Sequence, residues 1–358
     1  MGRRQEQFSG TREVRDAHQF DNAALEEYML SHVEHFQGPL TVRQFKGGQS
    51  NPTYLLESPS GKYVMRRKPP GKLLKSAHAV DREFKVISAL YAADFPVPRP
   101  HVLCKDEEIV GTMFFIMEFV EGRIFWELDL PGLDPEERAA IYDSAGTTIA
   151  QLHNFDHEKI GLGAYGKPGN YFARQISRWS KQYYASETEK IEKMDKLIAW
   201  LPEHIPDDDS VSVVHGDFRL DNVIIHPTEP RVLAVLDWEL STIGHPLGDF
   251  TYHLMAWQTP EIGVGSAGLL GKDLKALGIP SEEEYVASYC ERTGRSEGIQ
   301  NRDFYSAYNF FRIAAILQGI AGRVRDGTAA SAHAERAGKA VAPLVEMAWS
   351  YAQNAGAN

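Results

Sequence analysis

Cysteine is scarce in this chain: 358 residues contain two, Cys104 and Cys290. Two isolated cysteines make neither a disulfide framework nor a zinc cluster. Long apolar runs are missing as well. The longest candidate, residues 310–324, is broken by Arg312, Gln318 and Arg323, short of the ~18–20 apolar residues that a membrane helix needs. Positive charge is in deficit, and the formal net charge is −11. Residues 1–120 are nearly balanced, with 16 basic and 15 acidic side chains, whereas the remainder has 22 against 34. An acidic chain with no basic stripe excludes nucleic acid as the expected partner. The acidic excess would suit a cationic substrate, but solubility explains it more simply. At the start, Met1-Gly2-Arg3-Arg4 runs into polar sequence with no apolar core of a signal peptide. Glu6 stands where a myristoylation signal carries Ser or Thr. The expectation is a cytoplasmic protein without a membrane partner.

What is present suits a globular protein: 43% hydrophobic and 24% charged residues. The length fits two domains or one large bilobal one. Residues 1–20 read as a partly ordered lead-in. Leu25, Met29, Val33 and Phe36 recur at helical spacing and predict a helix over 22–36. Strands are predicted at 41–45, 53–57 and 63–66, the last two joined by the turn Ser58-Pro59-Ser60-Gly61. A helix over 79–93 and a buried strand over 112–119 complete a small antiparallel sheet with a helix. Beyond it, Asp134-Pro135 marks a helix start, with Asp as N-cap and Pro in the first turn. Residues 156–173 are rich in Gly and aromatics and read as a long loop, followed by helix over 174–200. A strand-rich island runs from Val211 to Trp238, and helices follow from Gly248 to the end. No internal repeat is visible.

The island carries the chemistry. It contains His215-Gly216-Asp217-Phe218-Arg219-Leu220-Asp221-Asn222, then two short strands, then Asp237-Trp238-Glu239. In an antiparallel hairpin the residue before the first strand lies beside the residue after the second. Asn222 and Asp237 should therefore meet at the open end, with Asp217 on the loop that feeds it. Three oxygen-bearing side chains at one point suit Mg²⁺-assisted phosphoryl transfer. Mg²⁺ is a hard cation that takes one or two protein oxygens plus phosphate oxygens, and a further carboxylate can orient a hydroxyl. Asp217 is assigned as catalytic base, and Asn222 and Asp237 as metal ligands. His215 as base would duplicate Asp217, and orienting the loop suits it better. Singly, each of these could be a turn residue or a strand cap.

His215-Gly216-Asp217, Asn222 and Asp237-Trp238-Glu239 together resemble the aminoglycoside phosphotransferase family over roughly residues 38–330. The stretches Gly47-Gly48-Gln49-Ser50-Asn51-Pro52-Thr53-Tyr54, Arg66-Arg67-Lys68-Pro69-Pro70-Gly71 and Ala77-His78-Ala79-Val80-Asp81-Arg82-Glu83 resemble its branch related to acyl-CoA dehydrogenase-linked kinase domains. The resemblance implies an α+β, bilobal, protein-kinase-like fold. Residues 1–120 would form an N-terminal antiparallel sheet lobe that binds nucleotide. Residues 121–358 would form a larger, mostly helical lobe for catalysis and acceptor binding. It implies ATP and Mg²⁺ as cofactors. Gly48, Gln49, Ser50 and Asn51 would bring backbone N–H groups to phosphate, although a plain hairpin turn reads equally well on its own. Arg66 would be the phosphate-contacting cation, with Glu83 its helix partner and Val64 covering adenine. Arg67 and Lys68 follow directly, so the register stays open. Glu118 and Val120 would offer backbone groups to the base at the hinge. Asp249 resembles a residue that braces the catalytic loop.

Two distances argue against a protein kinase. About 60 residues lie between His153 and His215, room for an acceptor pocket, and only 11 steps separate Asp237 from Gly248, too few for a long activation loop. The expected function is transfer of the γ-phosphate to a small-molecule hydroxyl. A CoA thioester is one candidate acceptor, held by Lys167, Tyr171, Arg174, Arg178, Trp179 and Lys181. The same residues also describe a packed amphipathic helix with a solvated basic face, the reading we favour. An aminoglycoside- or choline-type acceptor, or a non-catalytic nucleotide-binding regulator, is the alternative. Glu282, Glu283 and Glu284 fit a solvated helix start.

Overall fold

The computed structural model describes residues 10–46, 51–70, 79–260, 268–325 and 332–358. Gly48, Gln49 and Ser50, expected near phosphate, lie outside the described residues.

The N-terminal lobe is a six-stranded antiparallel sheet. Its strands are β1 (Thr11–Arg12), β2 (Thr41–Phe45), β3 (Thr53–Ser58), β4 (Gly61–Arg67), β5 (Pro100–Cys104) and β6 (Phe114–Glu118), in the order β1-β2-β3-β4-β6-β5. Helices α1 (Asn22–His32) and α2 (Val80–Ala92) pack against it. The short strands β1 and β5 were not expected from sequence. Two-residue β1 has too few positions to show a period, and β5 begins on a proline. The predicted helix over 22–36 stops at His32. Val33 is extended and His35 has φ 61°, which turns the chain back toward β2. Val33 and Phe36 are still buried, so their apolar spacing was satisfied by a turn instead of a helix. The predicted strand over 112–119 shortens to Phe114–Glu118.

Side chains alternate across a strand, and here both faces of the sheet are covered. Tyr63, Met65, Phe114 and Ile116 join a small core with Leu25 and Met29 of α1. Val64, Phe115 and Met117 face the other way, into the main core shared with the helical lobe. Pairing of Val64 with Met117 and of Arg66 with Phe115 fixes the register. Arg66 therefore lies on the Val64 face, toward the helical lobe, and Arg67 lies on the α1 side.

The helical lobe contains α3 (Pro135–Asn154), α4 (Tyr171–Ser186), α5 (Glu192–Glu203), α6 (Pro246–Gln258), α7 (Glu282–Arg292), α8 (Arg302–Arg325) and α9 (Ala332–Asn354). Asp134 caps α3 by accepting from the Glu137 N–H at 2.8 Å. The loop expected to reach 173 ends earlier, since α4 starts at Tyr171. The helix predicted over 174–200 is two helices, broken between Ser186 and Glu192. Ser281 and Glu284 close a capping box at the start of α7, which accounts for the acidic run there. Four short strands insert between α5 and α6. β7 (Ser212–Val214) pairs with β10 (Thr242–Gly244), and β8 (Val223–Ile225) pairs with β9 (Val232–Val235). Helix α6 begins at Pro246, two residues before the expected Gly248, because His245 caps it by accepting from the Leu247 N–H at 3.2 Å. Among the described residues, no helix is long and apolar enough to cross a membrane.

Candidate active site

Hairpin β8–β9 does what its length requires. Val223 pairs with Val235, and the Leu236 N–H donates to the Asn222 carbonyl at 2.8 Å. Asn222 and Asp237 thus flank the open end. Asp217 joins them through Asn222, whose side-chain amide donates to the Asp217 carbonyl at 2.9 Å and to its Oδ2 at 3.1 Å. Both amide donors engage Asp217, which leaves the amide oxygen as the acceptor atom of Asn222. Asp237 is left-handed, with φ 66° and ψ 59°. That conformation is strained for a residue other than Gly, and strain of this kind gathers at functional sites.

The loop carrying Asp217 is braced from below. Asp249, on α6, is 2% exposed. Its Oδ2 accepts from the His215 N–H at 2.6 Å and its Oδ1 from the Gly216 N–H at 2.8 Å. His153 Nε2 lies 3.3 Å from the same Oδ2. Against the desolvation of burial, His153 and the His215 contacts hold the Asp249 carboxyl below its usual value. Gly216 has φ 83°, and a Cβ there would stand 2.8 Å from the Leu240 carbonyl oxygen. No other residue fits this turn without displacing backbone. His215 has both ring nitrogens engaged. Nδ1 accepts from the Asp217 N–H at 3.1 Å, which makes Nε2 the protonated nitrogen that donates to the Leu236 carbonyl at 2.8 Å. The ring ties the loop to the hairpin and has no nitrogen left to take a substrate proton.

From the sheet side, Arg66 enters. Its Nη2 is 2.9 Å from Asp237 Oδ1 and 3.9 Å from Glu239 Oε2, and its Nε is 3.3 Å from Glu83 Oε2. Side-chain exposure is 9% for Arg66 and 1% for Glu83, so the ion pair is buried. Against desolvation, the charges of Glu83, Asp237 and Glu239 hold Arg66 above its usual value. Burial pushes the Glu83 carboxyl up to about 7. Arg66 opposes that rise, and Asp237 and Glu239 add to it. Arg67 is elsewhere: it donates to the Val110 carbonyl at 2.6 Å and to the His18 carbonyl at 3.2 Å, and stacks over Phe20. Asn51, 1% exposed, donates to Glu239 at 3.2 Å. Val64 is buried on the Arg66 face. The Glu118 N–H already donates to the Arg99 carbonyl at 2.8 Å. A base at the hinge would therefore meet the Glu118 carbonyl and the Val120 amide, not the Glu118 amide.

Three residues near Asp217 escaped sequence reasoning. Arg219 Nε stands 3.5 Å from Asp217 Oδ1, and its Nη2 bonds Asp221 at 2.7 Å. The Tyr252 hydroxyl donates to Asp217 Oδ1. Arg312 donates to the Gly216 carbonyl at 2.6 Å. Arg219 sits inside the motif and could have been singled out; Tyr252 and Arg312 lie 35 and 96 residues from their partners, with no local signal. Two of the cations named for a CoA acceptor, Arg174 and Arg178, make contacts within α4 and its lead-in. Arg174 donates to the Gly169 and Lys167 carbonyls at the start of its own helix. Trp179 is buried, and Arg178 stacks over it.

Behind the loop, His253 is 4% exposed. Its Nδ1 is 3.2 Å from the Phe218 carbonyl and its Nε2 is 2.9 Å from the Tyr285 hydroxyl. Burial pushes its imidazole down to about 4. The unfolded chain therefore takes up this proton first as pH falls. The contribution of His253 is intact above pH ~6.5 and is lost progressively toward pH ~4, up to about 3 kcal/mol. We expect the stability advantage of wild type over His253→Gln in urea unfolding to be smaller at pH 5 than at pH 7.5. An equal advantage at both pH values would contradict this.

A model of the phosphotransferase enzyme family matches residues 41–284. Acyl-CoA dehydrogenase family member 10 of Mus musculus is 44% identical over 347 residues, which are 97% of this chain and 32% of that protein. The chain thus spans about a third of the length of that curated relative. A solved structure from Ralstonia eutropha JMP134, provisionally named an aminoglycoside phosphotransferase, is 55% identical. It superposes with a TM-score of 0.85 over 94% of this chain and 99% of that one. A spectinomycin phosphotransferase, solved with ADP and spectinomycin, shares the fold at 13% identity, with a TM-score of 0.61 over 93% and 99% of the two chains.

Proposed function

Because this chain belongs to the phosphotransferase enzyme family, we propose that it moves the γ-phosphoryl group of ATP to the hydroxyl of a small molecule, using Mg²⁺. The observation that carries this reading is the double hydrogen bond from Asn222 to Asp217. It turns the Asn222 oxygen away from Asp217 at the end of the hairpin that also carries Asp237. One amide oxygen and one carboxylate suit a hard cation that takes its other ligands from phosphate. When bound there, Mg²⁺ would neutralise phosphate charge.

The remaining roles belong to the chain itself. Asp217 orients the acceptor hydroxyl and takes its proton as the oxygen attacks phosphorus. Arg66 lies within reach of Asp237 and offers a guanidinium to the nucleotide phosphates, with Glu83 holding it from behind. Asn51 sits where strand β3 begins, beside Glu239. Val64, on the Arg66 face of the sheet, would cover the base, with the Glu118 carbonyl and Val120 amide at the hinge. Gly48, Gln49 and Ser50 would complete the phosphate loop. The spectinomycin enzyme of the same fold was solved with ADP, which supports nucleotide use.

For the acceptor, we place a hydroxyacyl-CoA first. The mouse relative's name puts acyl-CoA chemistry beside this domain. Arg219 stands 3.5 Å from Asp217 and 2.7 Å from Asp221, so its charge is matched by carboxylates and does not by itself select the acceptor. The test is ADP release from Mg·ATP across 3- and 4-hydroxyacyl-CoAs, aminoglycosides, choline, homoserine and simple sugars. Turnover with hydroxyacyl-CoAs alone is expected. Turnover with aminoglycosides or choline would overturn the acceptor class, and bound Mg·ATP with silence across the panel would favour a regulator.

A further inference from the structure

One contact of Asp217 has no part in the reading above. Its Oδ2 accepts from Asn222, and its Oδ1 accepts from the Tyr252 hydroxyl. Tyr252 projects from α6, three residues after the loop-bracing Asp249, and is 8% exposed. Its ring lies beneath Arg312, whose guanidinium carbon is 5.1 Å from the ring centroid. Arg312 is itself 6% exposed, and it donates to the carbonyl of Gly216, the residue before Asp217. A single guanidinium from α8 therefore holds both the peptide that leads into Asp217 and the ring whose hydroxyl meets its carboxylate.

Packing alone does not account for that hydroxyl. Phenylalanine would fill the same space under Arg312, and a buried hydroxyl is unfavourable unless it is hydrogen-bonded. Burial, and next the charge of Asp217, push the Tyr252 hydroxyl up, so it remains a donor at neutral pH. The carboxylate also needs a second holder. The terminal torsion of an aspartate is broad; Arg219 Nε, 3.5 Å from Oδ1, makes an ion-pair contact there and not a hydrogen bond, so without Tyr252 the side-chain hydrogen bond that remains to orient the carboxylate is the one from Asn222. A donor on each oxygen defines the carboxylate plane.

We propose that Tyr252 is a positioning residue for phosphoryl transfer: paired with Asn222 on the opposite oxygen, its hydroxyl fixes the plane of the Asp217 carboxylate toward the acceptor hydroxyl, and Arg312 holds Tyr252 in place. This rests on the role of Asp217 given above.

The test uses the full chain with Tyr252→Phe, Asp217→Ala and the double variant. One readout is single-turnover release of labelled phosphate from Mg·ATP with water as acceptor. The others are ATP affinity, melting temperature and a crystal structure of Tyr252→Phe. Tyr252→Phe is expected to slow release about tenfold, as a misaligned base does, with ATP affinity within about twofold and melting little changed. The double variant should be no slower than Asp217→Ala, because Tyr252 acts through that carboxylate. In the crystal, the carboxylate should turn away from its wild-type plane. A rate within twofold of wild type, a double variant slowed by the full product of the two factors, or an unmoved carboxylate would each overturn the proposal. If Asp217→Ala does not slow release, the role of Asp217 fails. If Asp217→Ala slows it and Tyr252→Phe does not, only the role of Tyr252 fails. Where wild-type release is below detection, the position of the carboxylate decides.

Discussion

Replacing Asp217 with alanine is expected to lower phosphoryl transfer by ~10²–10⁴-fold, the usual contribution of a positioned general base, while ATP binding stays within about twofold. The split follows from where the contacts lie. Asp217 meets Asn222, Tyr252 and Arg219, all on the helical lobe. Arg66, Glu83 and Val64 come from the sheet lobe and do not depend on it. Its backbone carbonyl, which accepts from Asn222, survives the substitution, so Asn222, proposed above to hold the metal, keeps one of its two anchors. The measurement is ADP release with the acceptor found in the panel, beside equilibrium binding of nucleotide. A variant that loses nucleotide binding and turnover together would show that Asp217 supports the site structurally instead of acting in the chemical step.

Arg66→Ala is expected to have the largest effect on stability. It would leave Glu83, 1% exposed as a side chain, buried without its counter-charge and beside Asp237 and Glu239. Removing one partner of a buried ion pair typically destabilises by about 3–5 kcal/mol, because the remaining charge is left uncompensated away from water; the Trp238 backbone, hydrogen-bonded to Glu83, offsets part of this. Glu83 can relieve part of this by taking a proton, and burial already pushes its carboxyl up to about 7. The loss should therefore be smaller at pH 5.5 than at pH 8, and urea unfolding at the two values measures it. Arg66→Lys should recover part of the stability but not the geometry. One ammonium cannot span Glu83 on one side and Asp237 on the other as a planar guanidinium does, and weaker ATP binding should persist in that variant. A loss that is equal at both pH values would mean that Glu83 stays ionised when it is left alone.

The hairpin signal was local, and so it was legible. Asp217, Asn222 and Asp237 are fixed by two short strands and the turn between them, and antiparallel pairing alone places Asn222 opposite the segment that ends in Asp237. The helix start at Asp134-Pro135 and strands β2 to β4 were legible for the same reason, since capping and alternation act over a few residues. The bilobal, kinase-like fold followed from those motifs through family resemblance, which periodicity alone would not have supplied.

The choice between Arg66 and Arg67 could not be read in the same way. Both side chains are buried, because each face of β4 has its own core. Alternation puts Arg66 on the Val64 face, but only the packing of the sheet shows that this face looks toward the helical lobe. Helix ends also depended on where the chain had to go next, as at His32 and at the break after Ser186.

The sequence by itself determined which residues could carry charge, bind a hard cation and take a proton, and it determined their spacing along the β8–β9 hairpin, because these are properties of side-chain chemistry and of backbone pairing between near neighbours. Tertiary structure alone decided how those groups are held: Asp249 beneath the loop, Tyr252 and Arg312 around Asp217, Glu83 behind Arg66. Those contacts join residues from 17 to 96 positions apart, and which long-range pairs form is set by the packing of helices against the sheet, where no local pattern can announce them.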